Sequence, residues 1–307
     1  MDSDKIGKVS KVQIWTNRPV WPQGGAFPKP EPSNKPSDME WDLWLGPAPE
    51  IPFTPNLHPF NWRGWWDYGT GALGDVGCHL MDIPFRMLGL HYPLDAECSV
   101  GSVYSQMWTA DYHPDGCPAS SFITLHYGPT AKNGVPLEMT WMDGGIRPSH
   151  PDIIPADHDL GGANSANGVM MIGEKGIITH NINDSSPLMP KLYLYDGTQD
   201  FGPDRLEGTE PEYGHQRKWV DACKAGFGSE EHQGLTSSFD YAGPMTETVL
   251  MGNLAIRSFM LRRPNSKGQQ EFFGRRKLLW DGENMRITNL EEANQFVGRT
   301  YRAGFEV

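Results

Sequence analysis

Asn61 to Gly89, NWRGWWDYGTGALGDVGCHLMDIPFRMLG, holds both a strong helix signal and the most suggestive chemistry of the chain. Leu73, Val76, Leu80, Ile83, Met87 and Leu90 recur at helical spacing, which predicts a helix from about Leu73 to Leu88. Pro84 bends that helix unless it is already offset there, and Gly89 supplies the stop. Upstream, Gly69-Thr70-Gly71-Ala72-Leu73-Gly74 matches G-x-G-x-x-G, with Asp95 following at about the 20-residue distance a dinucleotide fingerprint asks for. Such a fingerprint needs a buried apolar strand before its glycines. The residues there are Trp-Arg-Gly-Trp-Trp-Asp-Tyr, charged and without a β-branched side chain, and Asp95 precedes the next strand instead of ending it. The glycines are therefore read as a loop that delivers a helix start, not as a Rossmann site.

The chemistry shifts a few residues along. Spacing i, i+4 puts Asp75 and His79 on one helical face, with Asp82 reachable on the same side. A helix start favours a carboxylate and suits a polar ligand, and a histidine held by a carboxylate is a common general acid or base near neutral pH. The plainer alternative is that Asp75 caps the helix and His79 is a satisfied core histidine. Arg63, Trp65, Trp66 and Tyr68 precede the pair, and aromatics beside a charged donor suit the apolar faces and hydroxyls of a sugar or polyol. These side chains also serve ordinary packing. Cys78 as a thiol nucleophile, and a metal held by His79, Asp75 and His58 or His215, are weaker readings of the same residues.

Composition limits the classes of function. The chain of 307 residues carries 38% hydrophobic and 21% charged residues, 11 Trp and 35 Gly, as a loop-rich globular protein does. Its net charge of −12 argues against a nucleic-acid partner. The one basic cluster, Arg275-Arg276-Lys277, reads as a solvated turn. No apolar run approaches the roughly 20 residues of a membrane span, and the opening MDSDKIGKVSKVQIW lacks the apolar core of a signal peptide. Cys78, Cys98, Cys117 and Cys223 are widely spaced and suggest neither a zinc knuckle nor a disulfide framework. The compartment is left open between cytoplasm and, behind a leader upstream of these residues, periplasm.

Taken in order, Lys8 to Thr16 alternates as a strand does. Residues 20–60 are so dense in proline that regular structure is excluded from most of them. Trp21, Trp41, Trp44, Phe53 and Phe60 make this an ordered wrapping loop, with one helical turn over Asp38 to Leu45. Beyond the helix, Ala96 to Trp108, Ser121 to Tyr127, Leu137 to Met142, Gly168 to Ile172, Gly176 to Asn181 and Lys191 to Tyr195 read as strands. Gly173-Glu174-Lys175-Gly176 turns one hairpin. Tyr213 to Ala225 and Tyr241 to Arg262 read as helices, the second with Pro244 near its first turn. Leu278 to Trp280 is a short strand, Asp281-Gly282-Glu283 a turn, and Leu290 to Tyr301 a closing helix. The prediction is one domain over residues 1–307: class α+β, an open and mostly antiparallel sheet with helices packed on one face.

GALGDVGCHLMDIPFRMLGL resembles the segment bearing the Asp-x-x-x-His pair in the Gfo/Idh/MocA oxidoreductases, the glucose–fructose oxidoreductase and inositol dehydrogenase family. SKVQIWTNRPVWPQG resembles the first strand of that family's C-terminal domain. GHQRKWVDACKAG and SFDYAGPMTETVLMGNLAIR resemble its closing helices. The resemblance implies oxidation or reduction of a ring hydroxyl or keto group of a sugar or cyclitol with NAD or NADP. It makes His79 the acid/base and Asp75 the residue that orients it and contacts substrate, with Arg63, Trp65, Trp66, Tyr68 and Asp82 as the substrate pocket. The family's nucleotide-binding half, with its glycine loop and Glu-Lys-Pro motif, has no counterpart in the sequence. The expectation is a substrate and oligomerisation domain, truncated or split from a Rossmann partner, with no complete cofactor site and homo-oligomers formed through the open sheet face. The alternatives are a non-enzymatic carbohydrate-binding or assembly module, and a cofactor-independent sugar lyase or hydrolase using Asp75 and His79.

Overall fold

Strand β1 (Val9–Trp15) alternates Val12 and Ile14, which are buried, with the half-exposed Lys11 and Gln13. A strand with one apolar face packs against a core on that side, and β1 does so near the middle of an 11-stranded sheet. The computed structural model describes residues 5–158, 160, 167–183, 186, 187, 190–201 and 213–306. After β1 come α1 (Trp41–Leu45), α2 (Gly71–Leu88), β2 (Asp95–Val100), β3 (Ser121–Tyr127), β4 (Leu137–Met142), β5 (Gly168–Gly173) and β6 (Gly176–Asn183). They are followed by β7 (Ser186–Pro187), β8 (Lys191–Leu194), β9 (Gln199–Asp200), α3 (Gly214–Ala225), α4 (Glu230–Gln233) and α5 (Phe239–Phe259). The chain closes with β10 (Arg262–Pro264), β11 (Gln270–Phe272), β12 (Leu278–Asp281) and β13 (Arg286–Ile287).

The sheet order is β13-β12-β2-β3-β4-β1-β5-β6-β8-β9, with β7 beside β6. Its pairings are antiparallel except β1 with β4, which run parallel. The fold is thus α+β, with a mixed and mostly antiparallel sheet. Helices α2 and α5 lie against one face. Leu73, Leu80, Met81 and Phe85 of α2 and Val249, Met251 and Leu254 of α5 join Val12, Ile14, Ile123, Leu125, Met139 and Trp141 in the main core. Each such side chain contributes about 1.5–3 kcal/mol when fully buried. The two helices approach closely because Gly77 of α2 and Gly252 of α5 carry no side chain. A Cβ on Gly252 would stand 2.6 Å from Leu73 Cδ2.

The other face is only partly open. Over β1, β4, β5, β6 and β8 a second cluster of Trp15, Met142, Met170, Ile177 and Tyr193 is covered by Ile154 and Leu160. Beside it runs a cross-strand row of polar side chains: Lys11 against Glu138, Glu138 against His126, and His126 against Asp95. The proline-rich loop is ordered around its own core of Trp41, Leu45, Phe53, Leu57 and Trp65, in which Trp41 stacks on Trp44 at 4.6 Å.

Some boundaries differ from the sequence reading. The strand expected from Ala96 to Trp108 ends at Val100, because its partner β3 begins at Ser121, opposite Val100, and leaves the rest without a ladder. Residues beyond it form a projecting loop in which Trp108 is 91% exposed. The closing helix expected from Leu290 to Tyr301 is only a short 3-10 segment, Glu291–Phe296; within it Ala293 is buried and Phe296 partly buried against the core, a narrower apolar face than a longer helix needs. Helix α2 starts at Gly71, two residues earlier than the apolar spacing suggests.

Candidate functional site

The exposed side of α2 presents Asp75, His79, Asp82 and Arg86, one turn apart in succession. Because α2 begins at Gly71, Asp75 lies beyond the first turn, and it does not cap the helix; Thr70 occupies the cap position. Asp75 instead faces two guanidinium groups. Arg63 Nε donates to Asp75 Oδ1 at 2.8 Å, and Arg18 Nε stands 3.9 Å from Oδ2. Arg63 is itself fixed, with its Cζ 4.2 Å from the ring centroid of Phe60 and 4.5 Å from that of Trp62, and Nη1 donating 3.0 Å to Phe60 O. Arg18, three residues past the end of β1, is a member of the site that the sequence reading missed. Its Arg-Pro context marked a strand stop and gave no sign of a partner.

At the other end of the stripe, Asp82 ties α2 to α5. The Tyr241 hydroxyl donates to Asp82 Oδ1, and Arg86 Nη2 lies 3.7 Å from the same oxygen. The Arg86 guanidinium covers the Tyr241 ring at 4.0 Å and donates to Thr236 O at 2.7 Å. Burial first, and then the adjacent Asp82 carboxylate, raise the Tyr241 pKa. Asp82 is therefore engaged in helix packing.

His79 lies between these two anchored groups. It is exposed, and among the described residues its imidazole has no hydrogen-bond or ion-pair partner. It is not a core histidine. Nor does Asp75 hold it: the shared helical face is present, but the carboxylate is taken by arginines, whose fixed charged forks bind a carboxylate through charge-assisted hydrogen bonds. Cys78 is exposed beside it as a free thiol. Burial of its sulfur, with the fields of Asp75 and Asp82, raises its pKa, which keeps it protonated and argues against a thiolate nucleophile. No cluster of three or more His, Cys, Asp or Glu with metal-binding geometry occurs among the described residues.

The aromatic residues expected to form one pocket wall are dispersed. Trp65 is buried in the loop core, edge-on to Phe27 at 5.1 Å. Tyr68 packs on Trp44 at 5.6 Å, and burial followed by the Asp67 charge pushes its pKa up to about 12. Trp66 packs against the main core instead and lines a cavity of about 890 Å³ beside α5. Of the residues expected in that pocket wall, Arg63 is the one that contacts Asp75.

The glycine loop does not fit a dinucleotide. A 3-10 turn, Asn61–Gly64, precedes it and no strand does. A Cβ on Gly69 would stand 2.7 Å from Arg63 Cα, and one on Gly71 3.0 Å from Cys117 Sγ. The space above the glycines is filled by the chain itself, where a pyrophosphate would need open backbone N–H groups.

With this geometry in view, residues 8–128 match the family described as "Oxidoreductase family, C-terminal alpha/beta domain". The match is to the Gfo/Idh/MocA oxidoreductases. It takes in β1, the wrapping loop, α2 with the Asp75–His79 stripe, β2 and β3. Among solved structures, an inositol dehydrogenase homolog from Azotobacter vinelandii, complexed with NAD+, is similar at 15% identity and a TM-score of 0.42, over 83% of this chain and 56% of its own. UDP-N-acetylglucosamine 3-dehydrogenase from Acidithiobacillus ferrooxidans is similar at 9% identity and a TM-score of 0.41, over 84% of this chain and 57% of its own. Biliverdin reductase from Synechocystis, complexed with biliverdin and NADP+, is similar at 13% and 0.38, over 82% and 55%. The chain spans little more than half the length of these structures. A search of curated proteins gave no match. No helix among the described residues is long and apolar enough to cross a membrane.

Proposed function

We propose that this chain is the substrate-side, catalytic half of a sugar or cyclitol oxidoreductase, with His79 as the group that moves a proton at the reacting ring hydroxyl. The observation that carries the reading is the placement of His79 within the family-matched residues, solvent-facing and unpartnered between two anchored charge groups. An imidazole left free in this way can take a proton from a hydroxyl as it is oxidised and return it on reduction. Arg63 and Arg18, held over Asp75, offer donors for neighbouring hydroxyls. In this reading Asp75 is a positioning residue for the arginines, and its contact with substrate passes through them.

The hydride acceptor such a reaction needs is a nicotinamide, NAD or NADP, and the glycine loop of this chain does not hold it. The acceptor comes from a nucleotide-binding unit outside the described residues, whether a further segment of the same gene product or a separate Rossmann-domain partner. The cross-strand row Lys11–Glu138–His126–Asp95 is the surface on which a second copy would pack. A lyase or hydrolase using Asp75 as its second acid/base is disfavoured, because that carboxylate is already hydrogen-bonded to Arg63.

Turnover tests the reading. A sugar and cyclitol panel is assayed with nicotinamide, with and without a nucleotide-binding partner, for wild type and His79→Ala. Nicotinamide-dependent turnover confined to the partnered sample, and lost in His79→Ala, is the expected outcome. Turnover without nicotinamide that is abolished by His79→Ala would replace this reading with the lyase or hydrolase.

A further inference from the structure

Helix α5 turns one stripe, Gly243, Glu247, Leu250, Leu254 and Arg257, into the cavity of about 890 Å³ that Trp66 also lines. A cavity of several hundred Å³ with apolar walls and a few convergent polar groups is the usual form of a small-molecule site. The walls here are aromatic, with Trp66, Tyr92, Trp280 and Phe296. Two polar groups stand out among them, one helical turn apart.

Asn253 is 5% exposed and lines the cavity, yet both its Nδ2 and its Oδ1 are buried without a hydrogen-bond partner. An unpaired buried amide costs roughly 1–3 kcal/mol, so the fold maintains a donor and an acceptor that it does not itself use. Arg257 is half-buried with its Cζ 4.2 Å from the ring centroid of Phe296 and 5.6 Å from that of Trp66. Among the described residues it has no hydrogen bond through its side chain and no carboxylate within ion-pairing distance. Charged groups in such surroundings are ordinarily paired. Burial lowers the Arg257 pKa, though the more distant Asp67 opposes this.

The opposite end of the cavity is acidic. Asp240 lies at the rim, and Glu247 accepts from Trp280 Nε1. Ten residues of helix separate Glu247 from Arg257, about 15 Å along the axis. An anion entering the cavity is therefore repelled by Asp240 and Glu247 at one end and drawn to Arg257 at the other, where the field of Asp67 offsets the attraction only in part, and this fixes its orientation.

We propose that this cavity binds a small carboxylate with an aromatic body and a hydroxyl on the carbon next to the carboxylate. Arg257 and Asn253 Nδ2 hold the carboxylate, Asn253 Oδ1 accepts from the hydroxyl, and the ring lies along α5 against Trp66 and Trp280. This site uses neither Asp75 nor His79.

The probe is racemic indole-3-lactate, titrated calorimetrically into the chain, with indole-3-propionate lacking the hydroxyl and tryptophol lacking the carboxylate. Saturable binding of indole-3-lactate is expected, weakened on the order of tenfold or more for tryptophol and in Arg257→Gln, as loss of a charge-assisted hydrogen bond implies. Asn253→Leu removes the unpaired amide at similar volume; it is expected to fold with a melting temperature no lower than wild type while losing the preference for indole-3-lactate over indole-3-propionate. Absence of saturable binding, equal affinity for tryptophol, or an Asn253→Leu variant that keeps the hydroxyl preference would each overturn the assignment. Asn253→Leu carries the test if Arg257→Gln fails to fold.

Discussion

The Arg63–Asp75 pair is the joint on which the candidate site hangs, and a double-mutant cycle measures it. Arg63 Nε and Asp75 Oδ1 are 2.8 Å apart, and the two side chains are 24% and 22% exposed. A fully exposed ion pair is worth about 0–1 kcal/mol, and a buried hydrogen bond to a charged group about 1.5–3 kcal/mol. At roughly a fifth exposed, the coupling falls between these, at about 1–2 kcal/mol. The single variants are expected to be unequal. Arg63→Gln also removes the guanidinium from the faces of Phe60 and Trp62, each contact adding about 0.5–1 kcal/mol. Asp75→Ala leaves Arg18 without its carboxylate but disturbs no aromatic packing. Urea unfolding of wild type, Arg63→Gln, Asp75→Ala and the double variant gives the coupling directly. A value under about 0.3 kcal/mol, within ordinary additivity, would refute the claim that Arg63 is fixed by Asp75, and with it the positioning role assigned to that carboxylate.

Asp143 gives a pH test. Burial, opposed by hydrogen bonds from Trp141 and Ser121, raises its pKa from 3.8 to about 6. A folded-state pKa above the unfolded one means that the native state holds the proton more tightly. The contribution is thus fully present below about pH 4 and lost as pH rises to about 6, amounting to about 3 kcal/mol. The difference in unfolding free energy between wild type and Asp143→Asn should fall across that window and be flat above it; a rise with pH would show the carboxylate to be stabilised by its donors instead. Gly252→Val drives a branched side chain into Leu73 Cδ2 and Ile123 and is expected to cost about 1–3 kcal/mol, read as a lower melting temperature, whereas an unchanged one would mean that α2 and α5 are not in close contact. Cys78, its thiol pKa raised by burial and two carboxylates, should react with iodoacetamide more slowly than free cysteine at neutral pH, and faster alkylation would reopen the nucleophile reading.

The elements with strong periodicity are legible in the sequence. Val12 and Ile14 face one core, and α2 ends at Gly89 in the left-handed region, φ 61°, where glycine alone is unstrained. Elements without a local signal are not. The parallel pairing of β1 with β4 joins residues more than a hundred positions apart and has no sequence signature. The strand run past Val100 had strand-like composition but found no partner, since pairing and not propensity decides a ladder. For the site, spacing placed Asp75, His79 and Asp82 on one face correctly. Spacing could not show that Arg18 and Arg63 would take Asp75, or that Tyr241 would take Asp82, because both partners arrive through tertiary structure. Trp65, Trp66 and Tyr68 are near neighbours in sequence yet divide between the loop core and the α5 cavity, which composition alone cannot resolve. Asn253 and Arg257 offered a faint signal, a polar pair at i, i+4 in a largely apolar helix.

The most direct test of the central claim is calorimetric titration of this chain with a panel of sugars and cyclitols, and separately with NAD(H). The account predicts saturable binding of at least one sugar or cyclitol, weakened about tenfold or more in His79→Ala as loss of a hydrogen bond at the reacting hydroxyl implies, with weak or no binding of NAD(H). Stoichiometric, tight NAD(H) binding by the chain would contradict the reading of the glycine loop, and sugar binding indifferent to His79 would contradict the assignment of the site.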